Sequence, residues 1–312
     1  MDVSDAVDNL FTGVVPERID DLKRLWGEHA ERVRLLDVDR FLLQMAFGSV
    51  QISELALRQI WLTGYAAWRA VTAYNVPLAQ ASLAMASANR SVWRTDPDVA
   101  AREDEFAEVF RAISGIAEAA KIGDMDSFPW PVGVPYPEHG LKITDPNLKG
   151  AFDLVCIAGA YVFAHEVRHY IYAIQKNPPE HLVDEETECD LWALALMLDQ
   201  ATPYAVENKW PPELVRAKRI LGIIIAQLAI LALTPRTLWD HSDGHPPIRE
   251  RIRTVLDAAT DPVPMWFWTT VASMLLGFSS QSGVAVETVP VISDMRQLAY
   301  TLCDLLRPAE EC

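Results

Sequence analysis

The sequence predicts a mainly α-helical protein with at most a small β element. Three observations carry this. Helical spacing of apolar residues covers most of the chain, one proline-dense segment interrupts it, and residues 140–144, short and alternating, are the likeliest strand. In order, residues 16–36 mix apolar and charged residues at helical spacing, with Pro16 suited to a helix start. Residues 38–74 are long and apolar, hold Trp61 and Trp68, and predict two buried helices. A further helix is expected over 78–93. Arg94-Thr95-Asp96-Pro97-Asp98 reads as a turn, because Asp and Pro both favour it, and 100–121 returns to helical spacing.

Residues 128–137 then hold four prolines, and no helix survives such density, since each proline removes a donor and crowds the preceding turn. This break predicts two parts, a helical N-terminal part over 1–125 and a second part over 126–312. A strand is expected over 140–144, and a helix over 148–176 whose first half is markedly apolar. No internal repeat or low-complexity tract is seen.

Composition narrows the function. Half of the 312 residues are hydrophobic, enough for a large core and too many for a disordered chain. Lys and Arg number 27 against 43 Asp and Glu, a formal charge of −16. So acidic a surface repels phosphate backbones, so no nucleic-acid partner is expected. Cys156, Cys189, Cys303 and Cys312 form no CxxC pair and suit reduced cytosolic thiols. The sequence opens Met1-Asp2-Val3-Ser4-Asp5, acidic where a signal peptide is basic, and a cytoplasmic location is expected. The apolar stretches 220–233 and 265–278 fall short of the roughly 20 residues a membrane span needs. No transmembrane span is expected, while peripheral membrane contact stays open.

Chemistry concentrates in the helix over 148–176, which carries His165-Glu166-Val167-Arg168-His169. Histidines four apart lie one helical turn apart on one face, so both imidazoles can reach one metal. Glu166 lies about 100° round from the first histidine, where it can approach a metal-activated water without being a ligand. With seven histidines in the chain, the HExxH pattern alone is moderately specific. Its place at the end of a buried apolar helix strengthens it, because buried polar groups are costly unless satisfied. The bland alternative is an ordinary helix whose polar end reaches the surface.

A catalytic zinc needs a third protein ligand. After the break at Asn177-Pro178-Pro179, a second helix presents Glu186 and, one turn later, Asp190 on the same face. Glu186 can bind metal while Asp190 accepts a hydrogen bond from a ligand imidazole and fixes its tautomer. The competing reading is a solvated acidic helix start. Cys189 is a conceivable fourth ligand, but its expected helix face turns away from Glu186. Further on, Pro246 and Pro247 suit the first turn of a helix and leave His245 outside it, free to face a pocket and stabilise an oxyanion. Arg251 can pair with a buried carboxylate. His241 reads as a surface residue, and His29, His139 and His181 are assigned no function.

HExxH, then Glu-x-x-x-Asp on the next helix, then His-Pro-Pro-x-x-x-Arg-Ile resembles the gluzincin class of zinc metallopeptidases. The chain is most similar to the phage-exclusion peptidase Lit family, in its length, its mid-chain HExxH, its tryptophan-rich first half and its acidic second-helix motif. The resemblance implies a zincin-like catalytic half holding Zn2+ through His165, His169 and Glu186. It also implies Glu166 as general base and Asp190 as the support behind a ligand. That family cleaves elongation factor Tu during phage infection, so a cytosolic protein substrate, such as a translation factor, is implied. Such a toxic protease needs restraint, by an inhibitor or by dependence on an activating peptide. HtpX-like membrane peptidases share all three motifs but need clear transmembrane helices. Anti-repressor peptidases share the first two motifs and are shorter. A rival of a different class is a sensor or binding protein that uses zinc as a structural clamp.

Overall fold

Helices form where apolar residues recur at helical spacing, and the main departures fall between residues 33 and 53. The computed structural model describes residues 3–26, 33–46, 49–138, 141–240, 244–286, 288–289 and 294–308. His29, His139 and His241 lie outside them. The order is α1 (Val3–Val14), α2 (Ile19–Trp26), β1 (Val33–Leu36), β2 (Leu43–Ala46), β3 (Ser49–Ser53), α3 (Glu54–Leu83), β4 (Ala88–Asn89), α4 (Arg90–Trp93) and α5 (Pro97–Lys121). After the proline-rich segment come α6 (Pro146–Gln175), α7 (Leu182–Leu198), α8 (Ala201–Glu207), α9 (Pro212–Leu233), α10 (Ile248–Asp257), α11 (Phe267–Gln281), β5 (Thr288–Val289) and α12 (Met295–Asp304). The fold is mainly α with a small β element.

Side-chain caps start several helices. The Ser53 hydroxyl accepts from Ala56 N at the head of α3, Asp96 accepts from Asp98 N at α5, and Asp145 accepts from Asn147 N and Leu148 N at α6. Asp96 thus turns the expected 94–98 turn into a helix cap. A connected hydrophobic core runs through both halves of the sequence, from Val7 to Leu306. In it α3 packs on α5, α11 and α6, while α6 packs on α9, α7 and α3. Gly222 lets α9 cross α6 closely: an added Cβ would fall inside the Ile157 side chain and 3.1 Å from the Leu154 carbonyl oxygen. By length and composition α6 could cross a membrane, but 61% of its most apolar window is buried inside the fold. Here it is the central core helix.

Four expectations need correction. Residues 33–36, 43–46 and 49–53 are strands, not helix, forming a sheet of order β1-β3-β2 with β1 parallel and β2 antiparallel to β3. β3 reads Ser49-Val50-Gln51-Ile52-Ser53, which alternates polar and apolar residues as a strand does, although all five are buried. The break expected near residue 75 is absent, because α3 runs through Pro77 with Tyr74, Pro77 and Leu78 buried. The strand expected over 140–144 does not form: residues 141–144 are irregular and pair with no strand, and Gly140 lies outside the described residues. Finally, Pro247 caps α10 from outside rather than opening its first turn.

Candidate metal centre

Three helices, α6, α7 and α10, bring the sequence-predicted residues together. The apolar half of α6 buries the helix, and its last turns deliver His165, Glu166 and His169. The chain reverses at Asn177-Pro178-Pro179, and α7 returns against α6 carrying Glu185, Glu186, Cys189 and Asp190. His245 precedes α10, which carries Arg251 back to Asp190.

Each histidine has an acceptor behind it. His165 Nδ1 lies 3.0 Å from Asp190 Oδ1, and His169 Nδ1 lies 2.7 Å from Glu185 Oε1. Those carboxylates fix the Nδ1–H tautomer of each neutral ring, which leaves both Nε2 lone pairs pointing forward. The two Nε2 atoms are 3.1 Å apart, and each is 3.2 Å from an oxygen of Glu186. Three electron-rich groups thus converge, and the arrangement demands positive charge at its centre, as ring protons or as a cation. Three donors on a tetrahedral ion at about 2.0–2.1 Å sit about 3.3–3.4 Å from one another. The Nε2–Nε2 spacing of 3.1 Å, and the 3.2 Å from His165 Nε2 to Glu186 Oε2 and from His169 Nε2 to Oε1, lie near that edge, so two imidazoles and a carboxylate fit a zinc ion.

The electrostatics agree. Burial pushes the His165 imidazole down, but hydrogen bonds to Asp190 and Glu186 outweigh it and raise it to about 9. Burial raises Glu186, yet hydrogen bonding with His165 and His169 holds it well below the usual carboxylate range. Glu166 does the opposite: burial raises its carboxyl, against the pull of His165 and His169. Its carboxylate also takes a hydrogen bond from the backbone of Met45 in β2. Asp190 is also buried, and Arg251 with His165 keeps it ionised: Arg251 Nη2 donates to Oδ1 at 2.7 Å, and Nε is 2.7 Å from Oδ2.

The site opens into a cavity of about 870 Å³ between β2, α6 and the end of α9, with Phe41, Leu43, Val162, Ile230 and Leu233 among its walls. His245 stands at this cavity, its side chain 57% exposed and its Nε2 3.8 Å from Glu186 Oε1. His181, just before α7, makes no side-chain cap.

One expectation about this site is overturned, and three residues were missed. The face of Cys189 does not turn away: its Sγ and one ring nitrogen from each of His165 and His169 all lie within 4.8 Å of one another. Three residues past Glu186 is only about 60° round a helix, and the close packing of α7 on α6 brings both residues to the histidines. These two histidines and the thiol are a group able to hold a metal ion. Glu185 was missed, although an orienting carboxylate for the second histidine was to be sought beside Glu186. Tyr161 and Gln227 were missed too. Tyr161 stands one turn before His165 on the same face, and Gln227 is the lone polar residue of the run 220–233.

A helix-borne histidine pair, an adjoining buried glutamate and an acidic partner helix thus meet beside an apolar cavity. The profile of the Peptidase U49 family matches residues 50–264, a span that holds all of these groups, and the chain belongs to that family. No curated protein and no solved structure matches it.

Proposed function

We propose that the chain is a zinc-dependent endopeptidase of the gluzincin type, with the metal held by His165, His169 and Glu186. The observation that carries this reading is the convergence of the two Nε2 atoms, 3.1 Å apart, on the Glu186 carboxylate, one on each oxygen at 3.2 Å, with both imidazoles backed by a carboxylate at Nδ1. Zinc, when bound, supplies Lewis acidity toward water and the scissile carbonyl. Glu166 does the proton work: buried and with its carboxyl raised, it accepts a proton during attack and passes it to the leaving amine. The Met45 backbone holds it in place.

His245 is the donor to the developing oxyanion, supported by its place at the cavity within 3.8 Å of Glu186. The outer edge of β2 holds the substrate as an added strand, since Leu43 and Met45 line the cavity. That role passes to β2 from the stretch 140–144, whose described residues, 141–144, form no strand.

His245→Ala tests the oxyanion assignment. The variant should keep its zinc and its melting temperature and bind substrate about as well, yet turn over on the order of a hundred times slower. Zinc loss in that variant would make His245 a ligand instead.

The substrate is a cytosolic protein. Similarity to the Lit family points to a translation factor such as elongation factor Tu, cleaved in phage exclusion, with an activating peptide or inhibitor as the restraint. Expression of the wild-type chain beside Glu166→Gln in bacteria, with mass spectrometry of new peptide termini, tests this. Termini in the translation factor that appear only with the active chain support it, and their absence under phage infection counts against it.

The position of Cys189 favours one second reading, a closed four-ligand clamp in a non-catalytic sensor. Stoichiometric zinc without any cleavage of mixed cytosolic proteins would select it.

A further inference from the structure

Asp190 on α7 is gripped from α6 and α10, with α9 reaching it through Tyr161, and two of the residues involved have no place in the chemistry above. Its Oδ1 takes His165 Nδ1–H at 3.0 Å, Arg251 Nη2 at 2.7 Å and the Tyr161 hydroxyl at 3.0 Å. Tyr161 in turn accepts from Gln227 Nε2 at 3.1 Å. Both residues are buried, Gln227 to 1% exposure inside the apolar stretch of α9.

Gln227 is a costly choice for packing. Its Oε1 accepts no hydrogen bond among the described residues, and a buried unmet acceptor destabilises a fold. Leucine or methionine would fill the same space without that cost. The one bond its amide makes there goes to Tyr161, and that bond has a directional consequence. A phenol can donate or accept. With the Gln227 amide occupying the acceptor side, the Tyr161 proton is turned toward Asp190. The carboxylate is then fixed between Tyr161 and Arg251, with one direction left for the His165 N–H.

We propose that Tyr161 and Gln227 are positioning residues for the metal centre: they lock Asp190 so that His165 presents Nε2 to the ion. The proposal rests on His165 being a metal ligand. Supports behind ligand histidines typically contribute 10–100-fold to metal affinity.

The test is competition of purified full-length chains against a zinc-chelating dye, with melting of each metal-free chain. Tyr161→Phe is expected to bind zinc about 10–100-fold more weakly. Gln227→Met is expected to weaken binding in the same direction by less, while its metal-free chain melts no lower than wild type. In a Tyr161→Phe background, Gln227→Met should weaken binding no further, because it acts through the hydroxyl. Two outcomes overturn the proposal: wild-type affinity in both single variants, or affinity losses that track lost melting temperature. If the wild-type chain itself takes up no zinc, the metal assignment fails and this inference with it. Zinc uptake by wild type with unchanged variants sinks this inference alone.

Discussion

Glu166→Gln is expected to keep the fold and the zinc and to lose at least about 100-fold in peptide cleavage, the low end for removing a general base. The amide has the shape of the carboxylate and can still take the hydrogen bond from Met45, so neither packing nor strand placement should suffer. What it cannot do is accept a proton. The present environment suits the wild-type residue to that task, since burial makes Glu166 more basic than a surface carboxylate while Glu186, one helix away, is held ionised. Cleavage of a protein substrate with matched zinc content checks the prediction. Near-normal turnover would assign the base elsewhere.

The second large effect is on stability. Asp190→Ala removes the shared acceptor of His165, Tyr161 and Arg251, leaving the buried Arg251 guanidinium without its counter-charge. Breaking a buried pair from one side costs about 3–5 kcal/mol. Urea unfolding of the metal-free chain should show a loss of that size. Adding Arg251→Met to Asp190→Ala should recover much of it, because an apolar pair no longer strands a charge. Zinc affinity should stay low in the double variant, since His165 still lacks its acceptor. Recovery of both stability and zinc binding would detach Asp190 from the metal centre.

Much of the site was legible in the sequence because its parts repeat at helical intervals. His165 and His169 are four apart, as are Glu186 and Asp190, and the intervening prolines announce the reversal between their helices. Local spacing alone therefore places four of the groups that converge. The pairing of Arg251 with Asp190 was foreshadowed only as a choice among buried carboxylates. Glu185 was lost beside Glu186, as two adjacent glutamates on a helix are distinguished only by which partner each meets. Tyr161 was legible in position but not in role, since a tyrosine on a buried helix face is most simply read as core.

The fold shows the same division. Long helices such as α5 and α6 follow from periodicity and from Asp96 and Asp145 as caps. The sheet did not, because a strand is defined by its partner. Ser49-Val50-Gln51-Ile52-Ser53 does alternate, but it is only five residues long and runs straight into the apolar α3, where it reads as part of a buried helix. Residues 141–144 fail in the opposite way, with a strand-like alternation and no strand to pair with.

The central claim is that His165, His169 and Glu186 hold a zinc ion. X-ray absorption at the zinc edge of the purified chain, with elemental analysis, tests it most directly. The account predicts one zinc per chain, with a nitrogen and oxygen shell at about 2.0–2.1 Å that contains two imidazoles and no sulfur. A sulfur neighbour at about 2.3 Å would put Cys189 on the metal and favour the closed clamp. A purified, folded chain that takes up no zinc would contradict the claim outright.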